Sequence, residues 1–292
     1  MWRFGDLTIF VTVARTGSIT KAAGQLGYVQ SNVTARIQHL EASLGTVLFH
    51  RHPRGVSPTA TGEVFLRYAE RILHLCEEAE QAVRDNSSPS GPLRIGAMET
   101  TAAIRLPAIL SEYHKLYSKV QISLLTGPTE HLVEKTLNFE IEGAFVAGPV
   151  HHPLLTDEAT IQEELVLVSK PGDDNILDPK ELSSRNLVVF REGCSYRKRL
   201  EQWLDAHGIG HRTVVELGSV DGILGCVAAG LGISLVPSSI IRNEQHDLSV
   251  HELPDGYGKV ATVFIRRKDA FLSPALAKFI AVVRKHVQAD RA

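Results

Sequence analysis

Apolar residues recur at helical spacing early in the chain and gather into short runs further on. Leu7, Phe10, Val11 and Ala14 predict a helix over Asp6 to Thr16. Gly17 ends it, and Ser18 is a good N-cap for a second helix, where Ala22 and Ala23 allow close packing. Gly27 breaks that helix. A third runs from about Val29 or Gln30 to Leu44 and stops at Gly45. Val33, Ile37, Leu40 and Leu44 line one face, while Gln30, Ser31, Thr34, Ala35 and Gln38 fall mostly on the other. A face of short polar side chains suits base edges in a major groove. A merely solvated face is the competing reading.

The stretch His50 to Thr59 is basic, carries Pro53, Gly55 and Pro58, and is about the length of a hairpin. After two short helices it reads as a wing with Arg51 and Arg54 near phosphates; the plainer reading is a surface loop. A long helix follows, from Thr59 to near Asp85. Phe65, Ile72 and Ala79 repeat every seven residues, as do Tyr68, Leu75 and Ala82 three positions later. That stripe (Phe65, Tyr68, Ile72, Leu75, Ala79) predicts pairing with a second copy of the helix, against a helix packed on its own domain. The Ser/Pro/Gly run from Asn86 to Pro92 is the clearest domain boundary.

Beyond it, strands and helices alternate. Strands are predicted at 93–97, 120–125, 143–147, 161–169, 186–190, 213–217, 233–236 and 260–266, and helices at 100–116, 129–138, 195–207, 219–229 and 274–287. Such alternation implies an α/β domain with a mainly parallel sheet.

Composition narrows the class. The chain has 292 residues, 43% hydrophobic and 22% charged, which fits two or three globular domains. No apolar run reaches the length of a membrane span, and the N-terminus lacks the pattern of a signal peptide, so a cytoplasmic protein is expected. Cys76, Cys194 and Cys226 are scattered and indicate neither a disulfide framework nor a zinc ribbon. The formal net charge is −2, but residues 1–67 hold seven Arg and Lys against three Asp and Glu, a local +4. A basic end on a neutral chain is what a DNA-binding domain joined to another domain gives, unless the asymmetry is chance.

From Asp6 to Gly62 the chain resembles the LysR-type transcriptional regulators. The resemblance rests on the run Asp6 to Ala14, on Gly17-Ser18-Ile19-Thr20-Lys21-Ala22-Ala23, on Val33 to Glu41 with Leu44-Gly45, on Leu48-Phe49 and Arg51, and on Pro58 to Gly62. It implies a winged helix-turn-helix over 1–59, a linker helix and hinge over 60–90 that dimerises, and an effector-binding domain over 91–292. That domain would have the two-lobed periplasmic-binding-protein type 2 (Rossmann-like) fold, with lobe I at about 91–163 and 267–292 and lobe II at about 164–266. Implied partners are double-stranded promoter DNA, a small-molecule effector, further copies in a homodimer or homotetramer, and RNA polymerase when activating. One departure stands out. Where many relatives open the third helix with Ser-Gln-Pro-Ala, this chain has Val29, Gln30, Ser31 and Asn32. The usual N-cap is lost unless Ser31 or a neighbour substitutes.

The expected DNA-facing residues are Ser18, Thr20, Gln30, Ser31, Asn32, Thr34, Arg36, Arg51 and Arg54. Amides such as Gln30 and Asn32 can bond adenine bidentately, Thr34 can meet a thymine methyl or a phosphate, and Arg36 can take guanine or phosphate. In the second domain, Thr100, Thr101, Thr129, Ser195 and Ser219 sit at strand–helix junctions, where open sheets bind ligands and helix N-termini attract anions. Each alone reads as an ordinary N-cap; their shared placement points to a small, anionic effector. Cys194 near Arg197 is a candidate thiol sensor. His151-His152 reads as a loop tip rather than a metal site. No GxSxG, P-loop, HExxH or dinucleotide fingerprint occurs, so no catalysis and no cofactor are expected. The competing class is an α/β enzyme or solute-binding protein with an accessory helix-turn-helix.

Overall fold

The computed structural model describes residues 2–53, 55–83, 89–174, 176–210, 213–241 and 247–289. The chain divides into two compact units, one of residues 1–85 with 138–140, the other of residues 86–137 with 141–292.

The first unit opens with three helices, α1 (Phe4–Thr16), α2 (Ile19–Leu26) and α3 (Gln30–Leu44). Gly17 ends α1 at a φ of 61°, in the left-handed region that a side chain resists, and its N–H closes on the Val13 carbonyl at 3.0 Å. The antiparallel hairpin β1 (Phe49–His52) and β2 (Gly55–Pro58) follows, as the sequence predicts. It is docked by its backbone: the Val56 N–H donates to the Gly17 carbonyl at 2.9 Å. A Cβ on Gly55 would sit 2.2 Å from that oxygen, which explains glycine there. Leu7, Phe10, Val13, Ala22, Val33, Ile37, Leu40 and Leu48 form the core.

The long helix α4 (Ala60–Val83) packs on this core, and the packing splits the predicted dimer stripe. Ala69 is buried, and Phe65 and Ile72 are half-buried against the unit's own interior, Phe65 with its ring edge-on to Phe10 at 5.0 Å. Phe65 and Ile72, expected in a seam with another chain, thus pack in part on the three-helix core of their own unit. Tyr68, Leu75 and Ala79 remain exposed, the first two at 58% and 52%.

In the second unit, β3 (Gly91–Ala97) leads to α5 (Glu99–Ile104) and α6 (Leu106–Leu116), two helices where one was predicted. Pro107 explains the break, since it lacks the N–H that would continue the helical ladder. β4 (Val120–Thr126), α7 (Thr129–Leu137) and β5 (Gly143–Gly148) come next, then the 15-residue β6 (Leu155–Ser169). After β6 lie α8 (Pro179–Ser183), β7 (Leu187–Phe190), α9 (Ser195–Ala206), β8 (Val214–Leu217), α10 (Val220–Ala228), β9 (Ser234–Pro237), α11 (Ser238–Ile241) and β10 (Ser249–Glu252). β11 (Lys259–Arg267) and α12 (Pro274–Ala289) close the unit.

Among the described residues seven strands form one sheet, ordered β10-β6-β11-β5-β3-β4 with β9 also on β6, and β7 pairs with β8 in parallel. The sheet is mixed, not mainly parallel. β3 runs parallel to β4 and β5, but β11 is antiparallel to both β5 and β6. The cause is the connection: β6 runs out of lobe I, and the chain returns through a short 3₁₀ turn at Pro254–Gly256 instead of a crossover helix. β11 accordingly pairs inside lobe I, where the sequence had set residues up to 266 in lobe II. One apolar cluster, around Leu132, Ala144, Leu165, Leu187 and Trp203, runs through both lobes, and two others lie around Leu93, Phe145, Phe264 and Phe279 and around Val166, Val188, Ile223 and Val236.

Candidate functional site

The first candidate surface is the open side of α3. Val33, Ile37 and Leu40 are buried inward, while Gln30, Ser31, Asn32, Ala35 and Gln38 are exposed and Thr34 is half-buried. Thr20 is exposed one helix earlier. The Ser18 hydroxyl is engaged as the N-cap of α2, accepting from the Lys21 N–H at 3.3 Å. Arg51 projects from β1, exposed, with His50 and His52 beside it. Arg54 lies outside the described residues.

Arg36 has a partner within this unit. Its Nε lies 2.6 Å from Oδ1 of Asp6, a buried carboxylate on α1. Asp6 also accepts the Arg3 backbone N–H at 2.6 Å. Burial opposes its charge, but the Arg3 N–H and the Arg36 guanidinium together hold the carboxyl below its usual range. Arg36 thus ties α3 to α1 through its Nε, with its side chain partly exposed. The α3 cap is revised. Val29 occupies the N-cap with extended backbone and no side-chain bond, and no hydroxyl substitutes. Such a cap forgoes about 1 kcal/mol. Tyr28 and Val29 are exposed, Val29 at 67%, an apolar pair beside the polar face of α3.

The second candidate is a cavity of about 260 Å³ within the second unit. Lobe I supplies Met98 and Thr100 after β3 and the Thr126–Thr129 turn with His131 after β4. Lobe II supplies Phe190–Glu192 after β7, Cys194–Tyr196 opening α9, and Leu217–Gly218 closing β8. All four junctions lie at carboxyl ends of strands, where such sheets bind ligands.

The five predicted hydroxyls divide here. Thr100, Thr129 and Ser195 are on the wall. Thr129 also accepts the Ala147 N–H at 3.1 Å, locking α7 to β5. The Ser195 Oγ is buried without a hydrogen-bond partner among the described residues. Thr101 is off the wall and 1% exposed, because the next residue of α5 turns into the core. Ser219 is off the wall too, its hydroxyl accepting the Gly222 N–H as the cap of α10.

Sequence reasoning missed the charged part of the lining. Arg191 reaches the wall directly after the apolar run of β7, and a Cβ on Gly218 would sit 3.4 Å from its Nη2, so glycine leaves it room. Glu99 and Glu192 share that charged lining, and His131 lies on the same wall. A charge immediately after an apolar strand was the available signal. Behind the wall, Glu163 on β6 accepts from the Tyr196 hydroxyl at 3.2 Å and from Thr262 Oγ1 at 2.6 Å, and faces Arg105 Nε at 3.8 Å.

Burial pushes the Cys194 thiol up, and the backbone N–H groups of α9 offset this only in part, so the environment favours the neutral thiol over a sensor's thiolate. His152 Nδ1 accepts the Leu154 N–H at 3.2 Å within its own loop. Among the described residues no cluster of metal-ligating side chains occurs, and no helix is long and apolar enough to cross a membrane.

Comparison with known proteins gives this geometry a family. Residues 4–63 match the bacterial regulatory helix-turn-helix protein, lysR family, and residues 86–288 match the LysR substrate binding domain. The HTH-type transcriptional regulator GltR of Bacillus subtilis is 46% identical over 98% of this chain and 97% of its own length. The HTH-type transcriptional regulator SoxR of Arthrobacter is 43% identical over 98% of each chain. Among solved structures, full-length CbnR complexed with its target DNA superimposes with a TM-score of 0.69 at 27% identity, covering 97% of this chain and 99% of that one. The relatives are regulators rather than enzymes, and this chain belongs to the LysR family of helix-turn-helix transcriptional regulators, DNA-binding proteins controlled by an effector.

Proposed function

We propose that this regulator reads its operator with Gln30, Ser31, Asn32 and Thr34 of α3, holds phosphates with Thr20, Arg51 and Arg54, and answers to a small molecule bearing one anionic group. The exposed amide face of α3 carries the first part. Arg191 and the Ser195 hydroxyl at the start of α9, without a hydrogen-bond partner among the described residues, carry the second. A fixed cation and a helix N-terminus favour an anion there. Glu99 and Glu192 on the same wall disfavour a dianion. We assign Thr100 and Thr129 to the ligand side of this site, and Thr101 and Ser219 to its support.

The working assembly is a dimer or tetramer paired through Tyr68, Leu75 and Ala79 of α4, and it works on promoter DNA in the cytoplasm. Contact with RNA polymerase belongs to the activating state. Binding of ligand and of DNA are then linked reciprocally. A gel shift with DNA upstream of the encoding gene tests the reading. Gln30→Ala should lower affinity for the cognate site by about 1–3 kcal/mol and leave non-specific binding intact. Unchanged affinity and sequence preference would remove α3 from the reading role.

A further inference from the structure

Val29 occupies a position where a helix gains from a hydroxyl or an amide, and it makes no capping bond. Its backbone is nevertheless fixed on both sides. The Tyr28 N–H donates to the Ala23 carbonyl at 2.9 Å, tying the preceding residue to the end of α2. The Val29 carbonyl accepts from the Asn32 and Val33 N–H groups at 3.1 and 3.3 Å. An isopropyl group 67% exposed therefore stands on a hydrogen-bonded backbone, immediately before the exposed Gln30, Ser31 and Asn32. In a major groove the apolar feature of a base edge is the thymine 5-methyl group. A branched apolar side chain at the reading end has that one chemical partner; it can neither accept from nor donate to the other base edges.

We propose that Val29 is a specificity-determining residue that packs on a thymine 5-methyl, adding a required T·A pair next to the bases addressed by Gln30 and Asn32. This rests on the reading of α3 as the recognition helix. The methyl leaves water between two apolar groups, a gain of about fourfold in affinity for one buried methyl.

The test is selection of binding sites from a random-sequence duplex library by the full chain, by Val29→Ser and by Gln30→Ala. Val29→Ser restores a capping hydroxyl at an exposed position, so the fold is kept. Wild type should enrich one thymine that Val29→Ser no longer requires, with the other positions unchanged. Replacing that thymine by deoxyuridine in the selected duplex should weaken wild type about fourfold and leave Val29→Ser unaffected. If deoxyuridine is neutral for wild type, or Val29→Ser keeps the wild-type consensus while Gln30→Ala changes it, the Val29 assignment fails alone. If neither variant changes the consensus, or the full chain selects none, the placement of the recognition helix fails with it.

Discussion

The Tyr196 hydroxyl donates to Glu163 Oε2 at 3.2 Å, so a residue on the cavity wall is bonded to a carboxylate on the strand that runs from one lobe into the other. Thr262 on β11 donates to the same oxygen. Tyr196→Phe keeps the ring and removes one donor from a buried acid. Its loss should cost about 1.5–3 kcal/mol in urea unfolding of the full chain, as for other bonds to charged groups. A midpoint within error of wild type would show that Thr262 and Arg105 already satisfy Glu163.

The Asp6–Arg36 pair predicts a pH dependence. The Asp6 carboxyl is lowered from 3.8 in the fold, so between that value and the lowered one the unfolded chain binds the extra proton. The contribution is therefore fully present above 3.8 and fades as pH falls through the lowered value. Asp6→Asn should destabilise by about 1–3 kcal/mol at neutral pH, the partial exposure of Arg36 placing it below a fully buried pair. The gap between wild type and variant should shrink in acid. Thermal melts at stepped pH would read this; a gap constant down to the acid transition would contradict it.

Much of this architecture is legible in the residues because local rules dominate there. Gly17, Ser18, Gly27 and Gly45 mark helix ends through backbone conformation and capping, and the structure has its breaks at those places. The strand–helix junctions around the cavity follow the same local logic. Periodicity alone does not reveal partners distant in sequence. Arg36 finds Asp6 thirty residues away, and β11 returns beside β6 antiparallel because of what connects them. The heptad stripe of α4 is wide enough to serve two neighbours, and only packing tells that Phe65 faces Phe10 while Tyr68 stays out. Thr100 and Thr101 are alike in chemistry, adjacent and both buried, yet one step along a helix leaves only Thr100 on the cavity lining.

The split of α4 separates two kinds of variant. Phe65→Ala opens a hole in the core of the first unit and should cost about 2–4 kcal/mol, visible as a lower melting temperature. Leu75→Asp places a charge on the exposed face instead. It should leave the fold nearly unchanged and move the species seen by sedimentation towards monomer. Leu75→Asp sedimenting like wild type would take the helix face out of the assembly.

Position 55 joins the wing to the helix-turn-helix. With a φ of 137° and the Gly17 carbonyl 2.2 Å from any added Cβ, Gly55→Ala must displace the hairpin from the α1–α2 turn. The displaced hairpin carries Arg51 on β1, paired with Val56 of β2. Phosphate contacts supply affinity without sequence preference. Gly55→Ala should therefore weaken specific and non-specific binding together and flatten the dependence of log affinity on log salt, while the sequence preference set by α3 stays. Competition gel shifts at three salt concentrations would measure both quantities, and an unaltered salt slope would separate the wing from the phosphates.

The cavity makes a sharper demand on adjacent residues. Thr101→Val alters a hydroxyl that is buried away from the wall and has no hydrogen-bond partner among the described residues, so it should be neutral or mildly stabilising and leave ligand response intact. Thr100→Val and Ser195→Ala change the wall itself, and Arg191→Gln removes its cation while keeping most of its length. A thermal-shift panel of small monocarboxylates on the full chain would identify a stabilising compound, and titration of that compound would rank the variants. Arg191→Gln should lose the most affinity, because it removes a charge-assisted bond rather than a neutral one. Equal loss in Thr101→Val and Thr100→Val would place the ligand somewhere other than this cavity.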